Sequence, residues 1–78
     1  MSGQEPDQGV ISSPMPGKVI KLQVVEKKFV KKGSTLIVVE AMKMENHLQA
    51  PFDGKIEKIN VKEGDSIDAD ENLIIMKK

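Results

Sequence analysis

Residues 13–41 read SPMPGKVIKLQVVEKKFVKKGSTLIVVEA, and residues 50–78 read APFDGKIEKINVKEGDSIDADENLIIMKK. With an offset of 37 positions the two stretches align without a gap and share eight identities in 29 positions. The identities include Gly17 with Gly54 and the proline three residues before each. Glycine widens the range of backbone conformations and proline restricts it, so matches of these residue types indicate matching backbone geometry. Because two copies are too few for a solenoid, the alignment predicts two similar β units that face each other across a pseudo-twofold axis and share one core.

Short β-branched runs within both copies alternate with turn residues. Many short strands at close spacing are typical of a small sandwich or barrel, and no apolar 3.6-residue period is long enough to predict a helix. The polar residues 1–8 are predicted to form a disordered lead-in, and residues 9–78 one all-β domain. The predicted core consists of the apolar positions that match between the copies: Val19/Ile56, Leu22/Ile59, Val24/Val61, Val30/Ile67, Leu36/Leu73 and Val38/Ile75.

The composition excludes several classes of function. The 78 residues allow one domain, and the absence of Cys excludes disulfides and thiolate metal sites. Twelve basic and 12 acidic side chains give a net charge of 12 − 12 = 0, and there are only two aromatic residues, so a nucleic-acid surface is not expected. A single His and no Arg leave no credible catalytic or metal constellation. We therefore expect a non-catalytic protein with no metal site.

Targeting signals are also missing from the printed sequence. No apolar run approaches the ~20 residues of a membrane span, and the first ten residues lack the basic start and apolar core of a signal peptide. We therefore expect no direct membrane insertion. The expected location is the cytoplasm, or the mitochondrial matrix if a transit peptide or a longer chain has been removed.

The two copies differ in charge at matching positions, so the domain is predicted to be dipolar despite its zero net charge. These charges form either solvated loops that aid solubility or a docking face for a partner. The first copy carries Lys27, Lys28, Lys31 and Lys32, and the second carries Glu63, Asp65, Asp68, Asp70 and Glu71.

Residues 42–49, MKMENHLQ, connect the two copies. In a twofold sandwich this crossing is predicted to be a hairpin with its tip near Met42-Lys43. Lys43 would then be exposed between two methionines, whereas most surface lysines have polar neighbours. One interpretation makes it an ordinary surface lysine, with Met42 and Met44 filling gaps at the core edge. The other makes it the target of a modification enzyme, which needs an exposed amine on a rigid tip.

The stretch Glu40-Ala41-Met42-Lys43-Met44-Glu45 contains the Ala-Met-Lys-Met tetrapeptide of biotin-carrier (biotinyl) domains. Together with SPMPG upstream, APFDG downstream and the similarity of the two halves, the chain resembles this family over residues ~10–78. The resemblance implies a flattened β-barrel of two four-stranded antiparallel sheets, the barrel-sandwich hybrid. It also implies that a biotin protein ligase attaches biotin to Lys43 through an amide bond.

The resemblance further implies a biotin carboxyl carrier that shuttles CO2 between a biotin carboxylase and a carboxyltransferase, with no catalysis of its own. Glu40 and Glu45, with the tetrapeptide, either assist ligase recognition or are solvated hairpin acids. A structural or solvent-facing role is favoured for His47 because it has no nearby nucleophile. Two alternatives are a lipoyl carrier, whose lysine usually follows Asp, and a β-barrel interaction module without a covalent group.

The sequence departs from the family pattern in one place and selects a subgroup in another. Many members have Gly-Asp where this chain has Lys27-Lys28, while the second copy keeps Gly64-Asp65. The turn at Lys27 is therefore expected to be less tight, since Gly is the usual residue at positive φ. The gap-free overlay leaves no room for the inserted thumb of bacterial acetyl-CoA carboxylase carriers. The chain thus resembles the thumbless carriers of propionyl-CoA carboxylase, pyruvate carboxylase, oxaloacetate decarboxylase and transcarboxylase.

Overall fold

A computed structural model describes residues 8–78, which form eight β-strands. The strands are β1 (Gln8–Ile11), β2 (Gly17–Leu22), β3 (Phe29–Val30), β4 (Thr35–Ala41), β5 (Met44–Gln49), β6 (Gly54–Ile59), β7 (Ser66–Ile67) and β8 (Ile74–Lys77). The lead-in predicted for residues 1–8 lies outside the described residues except for Gln8, which begins β1. No helix within residues 8–78 has the length and apolar character needed to cross a bilayer.

The strands form two four-stranded antiparallel sheets, ordered β1-β8-β6-β3 and β5-β4-β2-β7. The 37-residue offset converts one order into the other, strand for strand. Val19 pairs with Val39 in one sheet as Ile56 pairs with Met76 in the other. The register shift that follows Val19 recurs after Ile56. The predicted all-β sandwich of two sheets with pseudo-twofold symmetry is therefore confirmed.

Each half contributes one short strand to the sheet of the other half. β3, from the first copy, pairs with β6, and β7, from the second copy, pairs with β2. Two glutamates of matching position strengthen this exchange: Glu63 Oε2 accepts the Leu22 amide at 3.0 Å, and Glu26 Oε2 accepts the Ile59 amide at 2.9 Å. The halves are therefore interlocked by hydrogen bonds as well as by the core between them.

The core lies between the sheets and includes most of the predicted pairs, with one correction. Val38 is buried but stands apart from the central cluster, and Ile75 is only half-buried. Because of the register shift after Thr35, the neighbouring side chains of Leu36 and Ile37 both lie in the core. The alternation of faces that follows then places Val38 on the outer face of the sheet. The neighbouring pairs Ile37/Ile74 and Val39/Met76 fill the centre instead. Four predicted positions (Leu22, Val24, Val30 and Ile59) are partly buried against the cluster.

The turn at Lys27 makes the same hydrogen bonds to the opposite half as the turn at Gly64, but it is less tight, as expected. In the second turn the Asp65 amide donates to the Lys62 carbonyl at 3.1 Å and the Lys62 amide donates to Asp65 Oδ2 at 3.0 Å, and the equivalent Val25 and Lys28 make neither bond. The Lys27 amide donates to the Ile56 carbonyl at 2.7 Å, and the Gly64 amide donates to the Val19 carbonyl at 2.8 Å. The φ angles are 76° and 93°. Hydrogen bonds to the opposite half hold Lys27 in the left-handed region, which costs a non-glycine residue roughly 1–2 kcal/mol.

Gly17 and Gly54 are required for close approach of strands. A Cβ on Gly54 would lie 2.7 Å from the Lys77 carbonyl oxygen, and a Cβ on Gly17 would overlap the Glu40 carbonyl oxygen. Both glycines begin strands, and neither has a positive φ. The prediction that they match for a backbone reason holds, but that reason is space between strands. At Gly17 this close approach places β2 against the base of the connecting hairpin.

Candidate functional site

The hairpin between β4 and β5 has a two-residue turn made of Met42 and Lys43. Ala41 and Met44 are the last paired residues, and the turn residues have φ angles of 52° and 65°. Positive φ at both positions is the signature of a type I′ turn, whose twist matches that of the flanking strands. The predicted hairpin and its tip are confirmed. The turn type carries strain because neither residue is Gly, Asn or Asp.

The strand that enters the turn is firmly held. β4 lies between β2 and β5, and its residues from Leu36 to Val39 are buried. Ala41, directly before the turn, is only 3% exposed and would contact a Cβ added to Gly17. A small side chain is needed here because the strands approach closely. The turn therefore projects from a strand that is paired on both sides.

The side chains of the turn face solvent. Lys43 is exposed, and Met42 and Met44 are 79% and 67% exposed. The interpretation of these methionines as gap-fillers at the core edge is therefore wrong. The chain leaves two large apolar side chains in water on either side of one amine, and it gains no burial energy from them in this state.

Carboxylates stand at the base of the hairpin. Glu40 and Glu45 are directly paired across β4 and β5, and both are exposed. Like charges in such a pair destabilise a sheet. Lys18 pairs with Glu40 from the other side, and Ser66 of β7 pairs with Lys18. The row Ser66–Lys18–Glu40–Glu45 thus crosses the sheet beside the turn.

The acidic stretch of the second copy contacts the same sheet, which the linear sequence does not reveal. The Asp65 carbonyl accepts the Val19 amide at 2.9 Å, and Glu63 is held by the Leu22 amide. The signal that could have located it is the repeat itself, since exchange of short strands between the halves brings this stretch to β2. His47 is exposed and pairs with Val38, farther along β5 from the turn.

The arrangement at the turn suits acylation of the Lys43 amine. An accessible primary amine is held on a short strained turn, with apolar surface on both sides and carboxylates behind it. Such an amine can be acylated by another enzyme without a change in the core. The sites predicted at Glu40, Ala41, Met42, Lys43, Met44 and Glu45 are therefore brought together in one hairpin.

Sequence comparisons link the chain to carboxylases. A sequence model of the family described as "Biotin-requiring enzyme" matches residues 9–76. Pyruvate carboxylase of Aspergillus niger is 44% identical over 62 residues, which are 80% of this chain and 5% of that protein. The alpha subunit of mitochondrial methylcrotonoyl-CoA carboxylase of Dictyostelium discoideum is 47% identical over 51 residues, which are 65% of this chain and 7% of that protein.

A solved structure also links the chain to carboxylases. Urea carboxylase of Kluyveromyces lactis superimposes with a TM-score of 0.81 and 30% identity, covering 97% of this chain and 7% of that one. The chain thus spans less than a tenth of the length of these carboxylases. The family match extends over nearly all described residues, and it includes the hairpin. The chain therefore belongs to the family of biotin-requiring enzymes and is similar to the biotinyl domains of biotin-dependent carboxylases.

Proposed function

We propose that the chain is a biotin carboxyl carrier and that biotin is attached to the amine of Lys43. One observation carries this proposal: Lys43 is exposed on a two-residue turn at the end of a buried, doubly paired strand. A carrier must offer its amine to several enzymes while its fold stays intact. The similarity to carboxylases supports biotin, and not lipoate, as the attached group.

The attachment requires one covalent step. The neutral Lys43 amine attacks the carboxyl carbon of an activated biotin, which is a mixed anhydride supplied by a biotin protein ligase. The carbon–nitrogen bond forms, the bond from that carbon to a phosphate oxygen of AMP breaks so that AMP leaves, and the nitrogen loses a proton. Because only a neutral amine has the electron pair that attacks, the ligase must accept the proton that the nitrogen gives up.

The hairpin side chains fit a biotinylated lysine. The amide has no charge, so the arm can lie against the apolar surfaces of Met42 and Met44, which are otherwise exposed. Met is flexible and polarizable, and it adapts to different partners. We assign ligase recognition to Glu40 and Glu45, which stand beside the turn. When attached, biotin supplies a ureido nitrogen that takes up and gives back a carboxyl group.

The chain itself delivers the group and catalyses nothing. Its proposed partners are a biotin carboxylase, a carboxyltransferase and the ligase, the first two as subunits or as domains. Tethering on a short flexible arm raises the local concentration to roughly millimolar. The barrel sets the direction of the arm, and the methylene groups of Lys43 provide its reach.

Labelling with a ligase tests the proposal. The chain is incubated with biotin protein ligase, ATP and biotin, and its intact mass is measured. We expect the mass of one biotinyl group on the native chain and none on Lys43→Arg, which keeps the charge and should keep the thermal unfolding midpoint. Streptavidin binding by Lys43→Arg would refute the assignment. Labelling by lipoate ligase in place of biotin ligase would favour the lipoyl alternative.

A further inference from the structure

Two large apolar side chains are exposed far from the hairpin turn. Val25 is 58% exposed and Phe29 is 70% exposed. They line a groove of about 470 Å³ formed by residues 22–25 and 28–30, which we call the Phe29 groove. Burial of such side chains stabilises a fold or a complex, and the folded chain does not bury these two.

The pseudo-twofold symmetry shows that the fold does not require these apolar residues. The equivalents of Val25 and Phe29 are Lys62 and Ser66 at the 37-residue offset. The corresponding groove, lined by residues 59–62 and Asp65, measures about 260 Å³. The same backbone elements therefore carry a polar surface in one half and an apolar surface in the other.

The charge around the Phe29 groove is positive. Lys28 lines the groove, and Phe29 pairs across the sheet with Lys55, which in turn pairs with Lys77. The equivalent row beside the hairpin is Ser66–Lys18–Glu40. Exposed apolar side chains and lysines therefore lie together at the Phe29 groove, and a complementary surface must carry carboxylates.

We propose that the Phe29 groove docks an acidic segment of a partner protein. An apolar side chain of that segment packs on Val25 and Phe29, and its carboxylates face Lys28 and Lys55. Leu22, in the groove wall, pairs with Ile37, four residues before the end of β4 at the turn. A segment docked here leaves the Lys43 turn uncovered.

A second copy of the chain is a poorer occupant. One acidic surface of this chain, the row that contains Glu40 and Glu45, lies beside the turn. A copy bound through that surface would cover Lys43, and further copies would add head to tail in an open chain. A separate acidic segment avoids both consequences.

The symmetry supplies the variants for a test. Val25→Lys with Phe29→Ser gives the groove the residues that the other half already holds, so folding should be retained. The reverse pair, Lys62→Val with Ser66→Phe, builds an apolar groove in acidic surroundings.

A random peptide library displayed on phage is selected for binding to the native chain. The site where the selected peptides bind is then mapped by changes in the amide chemical shifts of the chain.

We expect enrichment of peptides that combine an apolar residue with several Asp or Glu residues, and shifts confined to residues 22–30 and Lys55. Val25→Lys/Phe29→Ser should raise the dissociation constant of these peptides at least about tenfold. Added salt should raise it further. The reverse pair should not bind them. Biotin labelling of Val25→Lys/Phe29→Ser should match that of the native chain, and a failure of the native chain to be labelled would count against the carrier function alone.

Four outcomes would overturn the proposal. They are no enrichment, enrichment of neutral or basic peptides, unchanged binding to Val25→Lys/Phe29→Ser, and equal binding to Lys62→Val/Ser66→Phe. Concentration-dependent self-association of the native chain that disappears in Val25→Lys/Phe29→Ser would assign the groove to a second copy instead.

Discussion

Lys27 holds a conformation that glycine holds in the other half. Its φ of 76° is enforced by the hydrogen bond from its amide to Ile56. We expect Lys27→Gly to raise the free energy of unfolding by about 0.5–1 kcal/mol, because relief of left-handed strain exceeds the entropy that Gly adds to the unfolded chain. Urea denaturation measures this. Lys28→Gly is the matched control, since Lys28 has no positive φ, and it should be destabilising; equal effects would contradict the explanation.

Gly54 illustrates a different constraint, which is space between strands. We expect Gly54→Val to lower the free energy of unfolding by about 2–3 kcal/mol, because the added Cβ would meet the Lys77 carbonyl oxygen and the Phe52 ring. Lys58→Val on the same strand has an exposed side chain and should change stability by less than about 0.5 kcal/mol. Thermal unfolding compares the two. An unchanged midpoint for Gly54→Val would show that the strands can separate locally.

These residues mark the limit of prediction from sequence. The matched glycines indicated that both positions need a glycine for a backbone reason. Only the structure shows whether that reason is close approach of strands or a positive φ. At Lys27 the residue type indicated a looser turn, and the two bonds that close the Gly64 turn are absent there, but the residue type did not indicate that hydrogen bonds to the opposite half would hold Lys27 at a positive φ. At Met42 and Lys43 nothing in the residue types indicates a left-handed turn, since both residues disfavour it.

At the scale of the element, the hairpin combines a firm base with two unfavourable features. The turn is strained, and Glu40 faces Glu45. We expect Glu45→Gln to raise the free energy of unfolding by about 0.2–1 kcal/mol at low salt, and the gain should shrink as salt screens the charges.

A double-mutant cycle with Glu40→Gln isolates the pair from other effects. Urea denaturation at two salt concentrations gives the coupling energy. A favourable coupling between the two native glutamates would contradict the repulsion. A gain in stability that comes with slower ligase labelling would show that the repulsion is retained for recognition.

The hairpin could be located from sequence because it is the single crossing between two copies. Its orientation toward solvent could not be read from the methionines, since exposed and buried Met look alike in a sequence. The nearby acidic stretch was also hidden, because it reaches the hairpin sheet only through the exchange of β7. Register shifts in β4 explain the misplaced core pair at Val38.

At the scale of the molecule, the halves should unfold together. Each half supplies a short strand and a bridging glutamate to the other. We expect Glu26→Ala and Glu63→Ala each to lower the free energy of unfolding by about 0.5–1.5 kcal/mol, with one transition in each case. Glu26→Gln keeps an acceptor oxygen and should lose less.

Circular dichroism and NMR amide intensities in the two halves measure these transitions. Coincident midpoints indicate two-state unfolding. Separate midpoints for the two halves, or a loss confined to one half, would contradict the interlocked arrangement. The repeat predicted the two-sheet architecture and most of the shared core because its matched positions carry the packing. It did not predict which half each edge strand joins.

The symmetry also has a consequence for the backbone ends of the sandwich. Gln8 pairs with Lys77 as Glu45 pairs with Glu40, so these two positions lie as close as the two legs of the lysine hairpin. A four-residue link from Lys77 to Gln8, the length that separates Glu40 from Glu45, would make a circular protein with a turn at each end of the sandwich. An Ala-Met-Lys-Met link would give a symmetric carrier with two attachment lysines, and cutting the original turn would yield a permuted chain with its lysine at the opposite end.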